Sequence, residues 1–314
     1  NSEGTGTSYT DGEKIKNLTK ENGTTITLYA QWVEAVASIE NKNYETLQEA
    51  VDAVPTNNQE TTVNLLKDTS EDILVEEGKN IIFEFNNKLL RNKEYAIIKN
   101  EGNITIKNAN MQIDYVPDEL LDTGEDGTQK EYISAIINYG QTTILSGNII
   151  SMTQARIIEN LNGKVTILDG AYLEGNGTNV VAINNRAEME ITGGELLDKQ
   201  GQLISNRGGN MIISWNPKLE GLGSNATIAN VYDGILEITG GEINSLQSNV
   251  IYNKEGTATI GGNVSIEGKG ENNTTSVAVG NTSKMQITGG TMMEIQEWQL
   301  IIQEQCQLMK MYQL

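Results

Sequence analysis

One isoleucine recurs at a nearly regular spacing along most of the chain, and this repeat constrains the fold more than any other feature. Successive copies lie 22 to 27 residues apart, with a single longer step of 38 residues. The copies are Ile106, Ile144, Ile167, Ile191, Ile213, Ile238, Ile260 and Ile287. Two positions before each copy stands a second recurring residue, which is apolar in every copy except Thr142. This period of two predicts a short strand around each isoleucine.

A unit of about 22–25 residues with two or three short strands has the length of one coil of a parallel β-helix. Coils of this kind stack about 4.8 Å apart, so equivalent isoleucines would form a continuous internal column. A leucine-rich repeat has a similar length, but its recurring leucine pattern is absent, and a β-sandwich would not keep a fixed period over eight copies. We therefore predict an all-β chain that forms a single-stranded, right-handed parallel β-helix.

Other positions of the unit recur as well. An apolar pair followed by Asn precedes the strand, as in Ile97–Asn100 and Val250–Asn253. Asn tolerates left-handed turns, and stacked amides can form hydrogen bonds from coil to coil. Five residues after the isoleucine there is usually another apolar residue, such as Met111, Ile149, Tyr172, Leu196, Ile243 or Met292.

The β-helix is predicted to occupy residues 36–293, with the alternating apolar residues between Val63 and Phe85 in its first coils. Thr46–Glu49 has the pattern of a capping box and predicts a helix over residues 46–54 that closes the first coil. The long step contains an acidic insertion, residues 114–131, which is expected to leave the coil as a loop. Residues 294–314 depart from the repeat, and we interpret this tail as aberrant, the product of a shifted reading frame, with a C-terminal capping helix as the alternative.

Composition limits the function. The chain has 314 residues, no histidine, one cysteine (Cys306) and a formal net charge of −20. The absence of histidine removes the Ser-His-Asp triad and histidine zinc sites, and a single cysteine excludes an internal disulfide. The strong negative charge argues against nucleic acid and anionic lipid as partners. No apolar run is long enough to insert into a membrane.

Two family resemblances follow from these residues. The segment Tyr9–Trp32, which ends in Leu-Tyr-Ala-Gln-Trp, resembles the end of a Listeria–Bacteroides repeat, the B-repeat of internalin-type surface proteins, and residues 1–33 are assigned to it as a partial β-grasp-like module. The remainder resembles the pectate-lyase-like β-helices of bacterial surface proteins, through Val63–Asp68 and the coils that carry Ile-Thr-Gly-Gly. These resemblances imply an extracellular protein of the bacterial cell surface or cell wall that continues into further surface-protein repeats.

The expected function is a non-catalytic structural or adhesion module, a rigid stalk that presents or binds ligands such as host or environmental glycans or proteins. The alternative is a polysaccharide-binding or polysaccharide-degrading β-helix. Exposed aromatic rings stack on sugars, and Trp215, Tyr172 and Tyr232 are the candidate ligand-binding residues. Asp122 and Asp126 partly match a calcium loop, although Ile133 stands where its bidentate Glu would be. No cofactor and no catalytic residue are assigned.

Overall fold

The computed structural model describes residues 5, 7, 9, 13–16, 18–30, 34–114, 133–152, 154–270 and 276–294. In this part of the chain, parallel strands wind into a right-handed β-helix of about nine turns. Each turn contributes one strand to each of three faces, and a single helix, α1 (Leu47–Ala53), lies before the first turn. The predicted fold class is therefore confirmed.

The three faces are built from strands that pair in parallel with the equivalent strands of neighbouring coils. The first face contains β3 (Glu60–Leu65), β6 (Asn80–Glu84), β9 (Asn103–Lys107), the first halves of β12 (Gln141–Ser151) and β14 (Lys164–Gly175), β16 (Glu188–Ile191), β19 (Asn210–Ile213), β22 (Ile235–Ile238), β25 (Thr257–Ile260) and β28 (Lys284–Ile287). The second face contains β4 (Thr69–Ser70), β7 (Leu90–Arg91), β10 (Ala109–Ile113), the second halves of β12 and β14, β17 (Glu195–Asp198), β20 (Lys218–Gly221), β23 (Glu242–Ser245), β26 (Ser265–Gly268) and β29 (Thr291–Glu294). The third face contains β5 (Ile73–Val75), β8 (Ile98–Asn100), β11 (Ser134–Asn138), β13 (Arg156–Asn160), β15 (Val181–Asn185), β18 (Gln202–Arg207), β21 (Ile228–Val231), β24 (Ile251–Asn253) and β27 (Val279–Asn281).

The recurring isoleucines form the internal column that the repeat predicts. Each pairs in register with the next, from Ile106 on β9 to Ile287 on β28. Phe83 and Val63 extend the same column toward the amino terminus. All of these side chains are buried except Ile287, which is partly buried. Burial of such a side chain stabilises the fold by roughly 2 kcal/mol, so the column is a major part of the core.

A second internal column of apolar residues runs along the second face, and it includes the apolar residues that recur five positions after the isoleucine, with the exception of Tyr172. Leu173, rather than Tyr172, pairs with Ile149 and Leu196 and is buried. The pairing of β12 with β14 shifts between Ile144 and Ser146, where β14 contains one extra residue. This β-bulge moves every later residue of β14 by one position, which reverses the face on which each side chain lies. Tyr172 therefore lies on the outer surface.

A ladder of asparagines runs through the interior beside the third face, and it confirms the predicted coil-to-coil amide bonds. The Nδ2 atom of each member donates to the Oδ1 atom of the next at 2.7–3.0 Å. The members are Asn100, Asn138, Asn160, Asn185, Asn206, Asn230, Asn253 and Asn281. The same amides donate to carbonyl oxygens of the adjacent turns, so that polar groups inside the coil are satisfied.

The first coil is closed by α1 and by a hairpin that the sequence did not reveal. Thr46 caps the helix by accepting a hydrogen bond from the Glu49 amide at 3.1 Å, and the buried Lys79 ammonium donates to the Val51 carbonyl at its other end. Strands β1 (Ala37–Ile39) and β2 (Lys42–Tyr44) pair in antiparallel fashion, and β1 also pairs antiparallel to β3. The hairpin therefore covers the exposed edge of the first coil on the first face.

The remaining predictions about domain organisation fall partly outside the described residues. Within the described positions of 1–33, no helix or strand is present and the side chains are largely exposed. Most of the insertion 114–131 and almost all of the tail 294–314 lie outside the described residues. The coils on either side of the insertion remain in register, since Met111 pairs with Ile149 and Ile136 with Ile158.

Among the described residues, no helix is both long enough and apolar enough to cross a bilayer.

Candidate functional site: an exposed aromatic face

The most unusual part of the outer surface lies on the neighbouring strands β19 and β22 of the first face. In both strands the isoleucine column fixes which side chains point inward, namely Ile213 and Ile238. Alternation then directs Ile212 and Ile235 outward, where 36% and 54% of their surfaces are exposed. On the other strands of this face, the same outward positions hold mostly charged or polar residues, such as Glu190.

Two aromatic residues flank these isoleucines. Tyr232 lies in the turn that leads into β22, and Trp215 lies in the turn that follows β19. Their exposed fractions are 59% and 75%. Since a four-residue strand spans roughly 13 Å, the turns lie at opposite ends of the two strands. We name Trp215, Ile212, Ile235 and Tyr232 the aromatic face.

Both aromatic residues adopt left-handed backbone conformations, with φ of 65° at Trp215 and 52° at Tyr232. At equivalent turns the left-handed residue is Asn108 or Gly262 in the case of Trp215, and Gly208 or Glu255 in the case of Tyr232. A left-handed conformation costs an ordinary residue roughly 1–2 kcal/mol, and glycine escapes this cost. Strain that is retained at exposed bulky residues is a reason to suspect a function there.

The surroundings of the aromatic face are acidic. Glu190 and Glu237 lie in the same outward column as Ile212, one on each adjacent strand. Two cations lie at this surface: Lys164 donates to Glu190 Oε2 at 2.7 Å, and the Arg207 guanidinium lies 4.7 Å from the centre of the Tyr232 ring. The face therefore combines apolar and aromatic surface with carboxylate acceptors and one cation already placed against a ring.

The third aromatic candidate, Tyr172, lies on the second face and belongs to a different cluster. Its hydroxyl donates to Glu174 Oε2 at 2.5 Å, while Lys199 and Asn176 donate to Oε1 at 2.6 and 3.0 Å. The hydrogen bond to Glu174, together with burial, raises the pKa of Tyr172 to about 12. Burial disfavours ionisation of Glu174, but the hydrogen bonds from Lys199, Tyr172 and Asn176 outweigh it and lower the pKa of that carboxyl.

A second unusual carboxyl, Asp198, lies at the end of β17 with 1% of its surface exposed. Burial raises its pKa to about 6, although backbone amides of Gly201 and Gln200 donate to its Oδ1 and oppose the shift. The neighbouring coil has Gly175 opposite it, and a Cβ there would come within 2.6 Å of Asp198 Oδ2. The pocket for this carboxyl therefore depends on a glycine.

A buried ionic cluster lies on the third face. Glu159, which is 5% exposed, forms ion pairs with Arg156 and Arg186 and accepts a hydrogen bond from Asn184 at 2.6 Å. Arg156 is 4% exposed. Buried charges of this kind require each other, because the loss of one leaves the others in a region of low polarity.

The predicted calcium ligands Asp122 and Asp126 lie outside the described residues. Within the described ranges, no group of three or more carboxylates, cysteines or histidines is placed to hold a metal ion.

The structure thus places two of the three predicted aromatic residues, Trp215 and Tyr232, at opposite ends of two adjacent first-face strands, and the third, Tyr172, on the second face. Sequence reasoning missed Ile212 and Ile235, which complete the aromatic face. The sequence did contain the signal. Ile212 directly precedes the inward Ile213, and Ile235 directly precedes the inward Leu236, so alternation along the strand directs both isoleucines outward.

Comparison of the chain with protein-family models, with curated proteins and with solved structures gave no match.

Proposed function

We propose that this chain is a non-catalytic module of a bacterial cell-surface protein, a rigid β-helical stalk that binds neutral polysaccharide through its aromatic face. The observation that supports this proposal most directly is the pairing of two exposed, strained aromatic residues at the ends of two adjacent strands. The extracellular setting is supported by the resemblance of residues 1–33 and 36–293 to bacterial surface modules.

A sugar ring has an apolar face of C–H groups and a rim of hydroxyls. Trp215 and Tyr232 offer flat apolar surface for the ring faces, and the two isoleucines between them provide contact along the chain. Glu190 on β16 and Glu237 on β22 offer carboxylate oxygens as acceptors for hydroxyl groups, with Glu190 Oε2 already accepting a hydrogen bond from Lys164 at 2.7 Å. An acidic polysaccharide would be repelled by these carboxylates and by the net charge of −20.

The state of the best-placed carboxyls supports a binding role rather than catalysis. A general acid needs a pKa near the working pH, yet the pKa of Glu174 is lowered by its three donors. Asp198 has a suitable pKa of about 6 but is almost completely enclosed. Neither group combines a suitable proton affinity with access to a polymeric substrate.

The test is a glycan array, followed by titration of soluble neutral polysaccharides and of polygalacturonate as the acidic counterpart. The informative variants are Trp215→Gly and Tyr232→Gly. Because glycine adopts the left-handed conformation at low cost, both variants should keep or gain stability while binding falls. Glu255→Gly is the matched control. Glu255 occupies the position equivalent to Tyr232 in the next coil and has φ of 67°, but its side chain is not aromatic.

We expect saturable binding of at least one neutral polysaccharide, a loss of about tenfold or more in each aromatic variant, and no change with Glu255→Gly. Equal binding by all three variants would reject the aromatic face. Failure of every glycan to bind would reject the polysaccharide ligand and leave only the stalk. Unsaturated products, detected by their absorbance after incubation with polygalacturonate, would overturn the non-catalytic assignment and favour the pectate-lyase-like alternative.

A further inference from the structure

The aromatic face has a definite direction on the β-helix. Ile235 is the first residue of β22 and Ile212 is the third residue of β19, and the register of the two strands makes them diagonal neighbours. Tyr232 lies before Ile235 in the chain, and Trp215 lies after Ile212. The four residues therefore follow one another in a line across the first face, from the turn before β22 to the turn after β19.

This line runs more nearly along the strands than along the axis of the β-helix. It rises by one coil, about 4.8 Å, while the strand that it crosses spans about 13 Å. Because the whole strand separates the two turns, a ligand must extend over that distance to reach both Tyr232 and Trp215.

The apolar surface ends after these two coils. In the outward column of Ile212, the adjacent strands hold glutamates on both sides. In the outward column of Ile235, the adjacent strands hold Asn210 and Thr257. A ligand that ran along the axis would therefore leave the apolar surface within one coil in either direction.

The two aromatic rings are also isolated along the axis. At the position of Trp215, both neighbouring coils hold glycine, Gly193 and Gly240. A Cβ on Gly240 would overlap the Trp215 carbonyl group, which shows how closely these turns stack. The positions equivalent to Tyr232 in the neighbouring coils hold no aromatic residue either. Aromatic surface is therefore repeated across the face and not along the axis.

We propose that the ligand of the aromatic face is a linear, ribbon-shaped neutral glycan of the cellulose type, which lies across the first face and contacts both rings at once. This inference rests on the proposed function and specifies the shape and direction of the ligand. An extended glycan exposes the C–H faces of its sugars in succession, so that separate sugars meet Trp215 and Tyr232 while those between them cover the isoleucines. A coiled glycan of the amylose type presents a curved surface and reaches only one ring.

The experiment is calorimetric titration of the intact chain with cellobiose, cellotetraose and cellohexaose, and with maltohexaose as the coiled counterpart. Once a chain reaches both rings, the second contact becomes intramolecular, so affinity should rise steeply with length. We expect cellohexaose to bind about tenfold or more tightly than either cellobiose or maltohexaose, with a single hexasaccharide bound per chain.

The glycine variants show whether both rings contact the same ligand. Trp215→Gly and Tyr232→Gly should each remove the gain with length, so that cellohexaose binds either variant about as weakly as cellobiose binds the wild type. Independent binding at each ring would instead halve the stoichiometry and leave the remaining affinity unchanged. Glu255→Gly should keep the full length dependence, and circular dichroism verifies that each variant is folded.

The outcomes separate this inference from the proposed function. Two hexasaccharides bound per chain, or cellohexaose affinity equal to that of cellobiose or of maltohexaose, would overturn the crosswise ribbon and leave the proposed function standing. Saturable binding of another neutral glycan without binding of cellohexaose would have the same meaning. Failure of every neutral glycan to bind the folded chain would reject both.

Discussion

Replacement of Asp198 by Asn tests how strongly burial perturbs the interior of the coil. The pKa of Asp198 is raised from 3.8 to about 6, a change of roughly two units, which corresponds to about 3 kcal/mol. Asn is uncharged at every pH and retains an oxygen that can accept hydrogen bonds from the Gln200 and Gly201 amides. Asp198→Asn should therefore stabilise the protein at neutral pH by up to about 3 kcal/mol.

The sign of the pH dependence follows from proton binding. Below the unfolded pKa of 3.8, Asp198 is protonated in both states and costs no stability. Between 3.8 and about 6, the unfolded chain loses this proton while the folded protein retains it, so stability falls as pH rises. Above pH 6 the carboxyl is ionised in both states, and the full cost of the buried charge remains.

The assay is guanidinium unfolding of wild type and Asp198→Asn at pH 4, 5, 6 and 7.5, with unfolding followed by circular dichroism. The difference between the two proteins isolates this group from the other carboxyls. It should be small at pH 4, grow through pH 5 and 6, and level off by pH 7.5. Asp169→Asn, at an exposed position in the bulge of β14, is the matched control. A difference that is constant with pH, or an Asn variant less stable at pH 7.5, would refute the reasoning.

Two further predictions concern polar groups inside the coil. Asn160→Ala should destabilise the protein by about 3 kcal/mol in the same guanidinium assay, because Asn160 donates to Asn185 and to the Glu188 carbonyl and accepts from Asn138. The control Asn210→Ala, at an exposed position, should stay within about 0.5 kcal/mol of wild type, and similar losses for both variants would contradict a structural role of the ladder. Glu159→Gln should cost about 3 kcal/mol or more, because it leaves Arg156 and Arg186 without their buried counter-charge; thermal unfolding unchanged from wild type would show that this cluster is not mutually stabilised.

The sequence was sufficient to predict the column of isoleucines, since a β-helix places equivalent residues of successive coils directly above one another. A fixed offset from Ile167 does not identify the inward residue of the second half of β14, because the bulge in that strand adds one residue and places Leu173 rather than Tyr172 in the column. The hairpin β1–β2 was also missed. Its strands have three residues each, too few for alternation to be recognised.

A pocket on the third face, lined by Leu74, Lys99 and Ile137 among others, was beyond sequence reasoning for a different reason. Leu74, Lys99 and Ile137 are 25 and 38 residues apart, and the second interval includes the long insertion. Their proximity follows only when the third-face strands are aligned by the pairing of Ile73, Ile98 and Ile136. Internal columns can be inferred from similar residues that recur at a regular spacing. A surface site combines different residues from neighbouring coils, so it can be recognised only after the strands have been aligned.

The difference between internal and external columns also explains why the aromatic face is informative about function. Internal positions are constrained by burial, and every coil must supply an apolar residue or a satisfied amide there. Outward positions on β16, β22 and β25 are free of that constraint, and most are charged or polar. Ile212 and Ile235 depart from this pattern and lie next to aromatic residues in left-handed turns. Glycine would relieve the strain at the turns, and polar residues are usual at these outward strand positions, so the polysaccharide ligand that we propose would account for both departures.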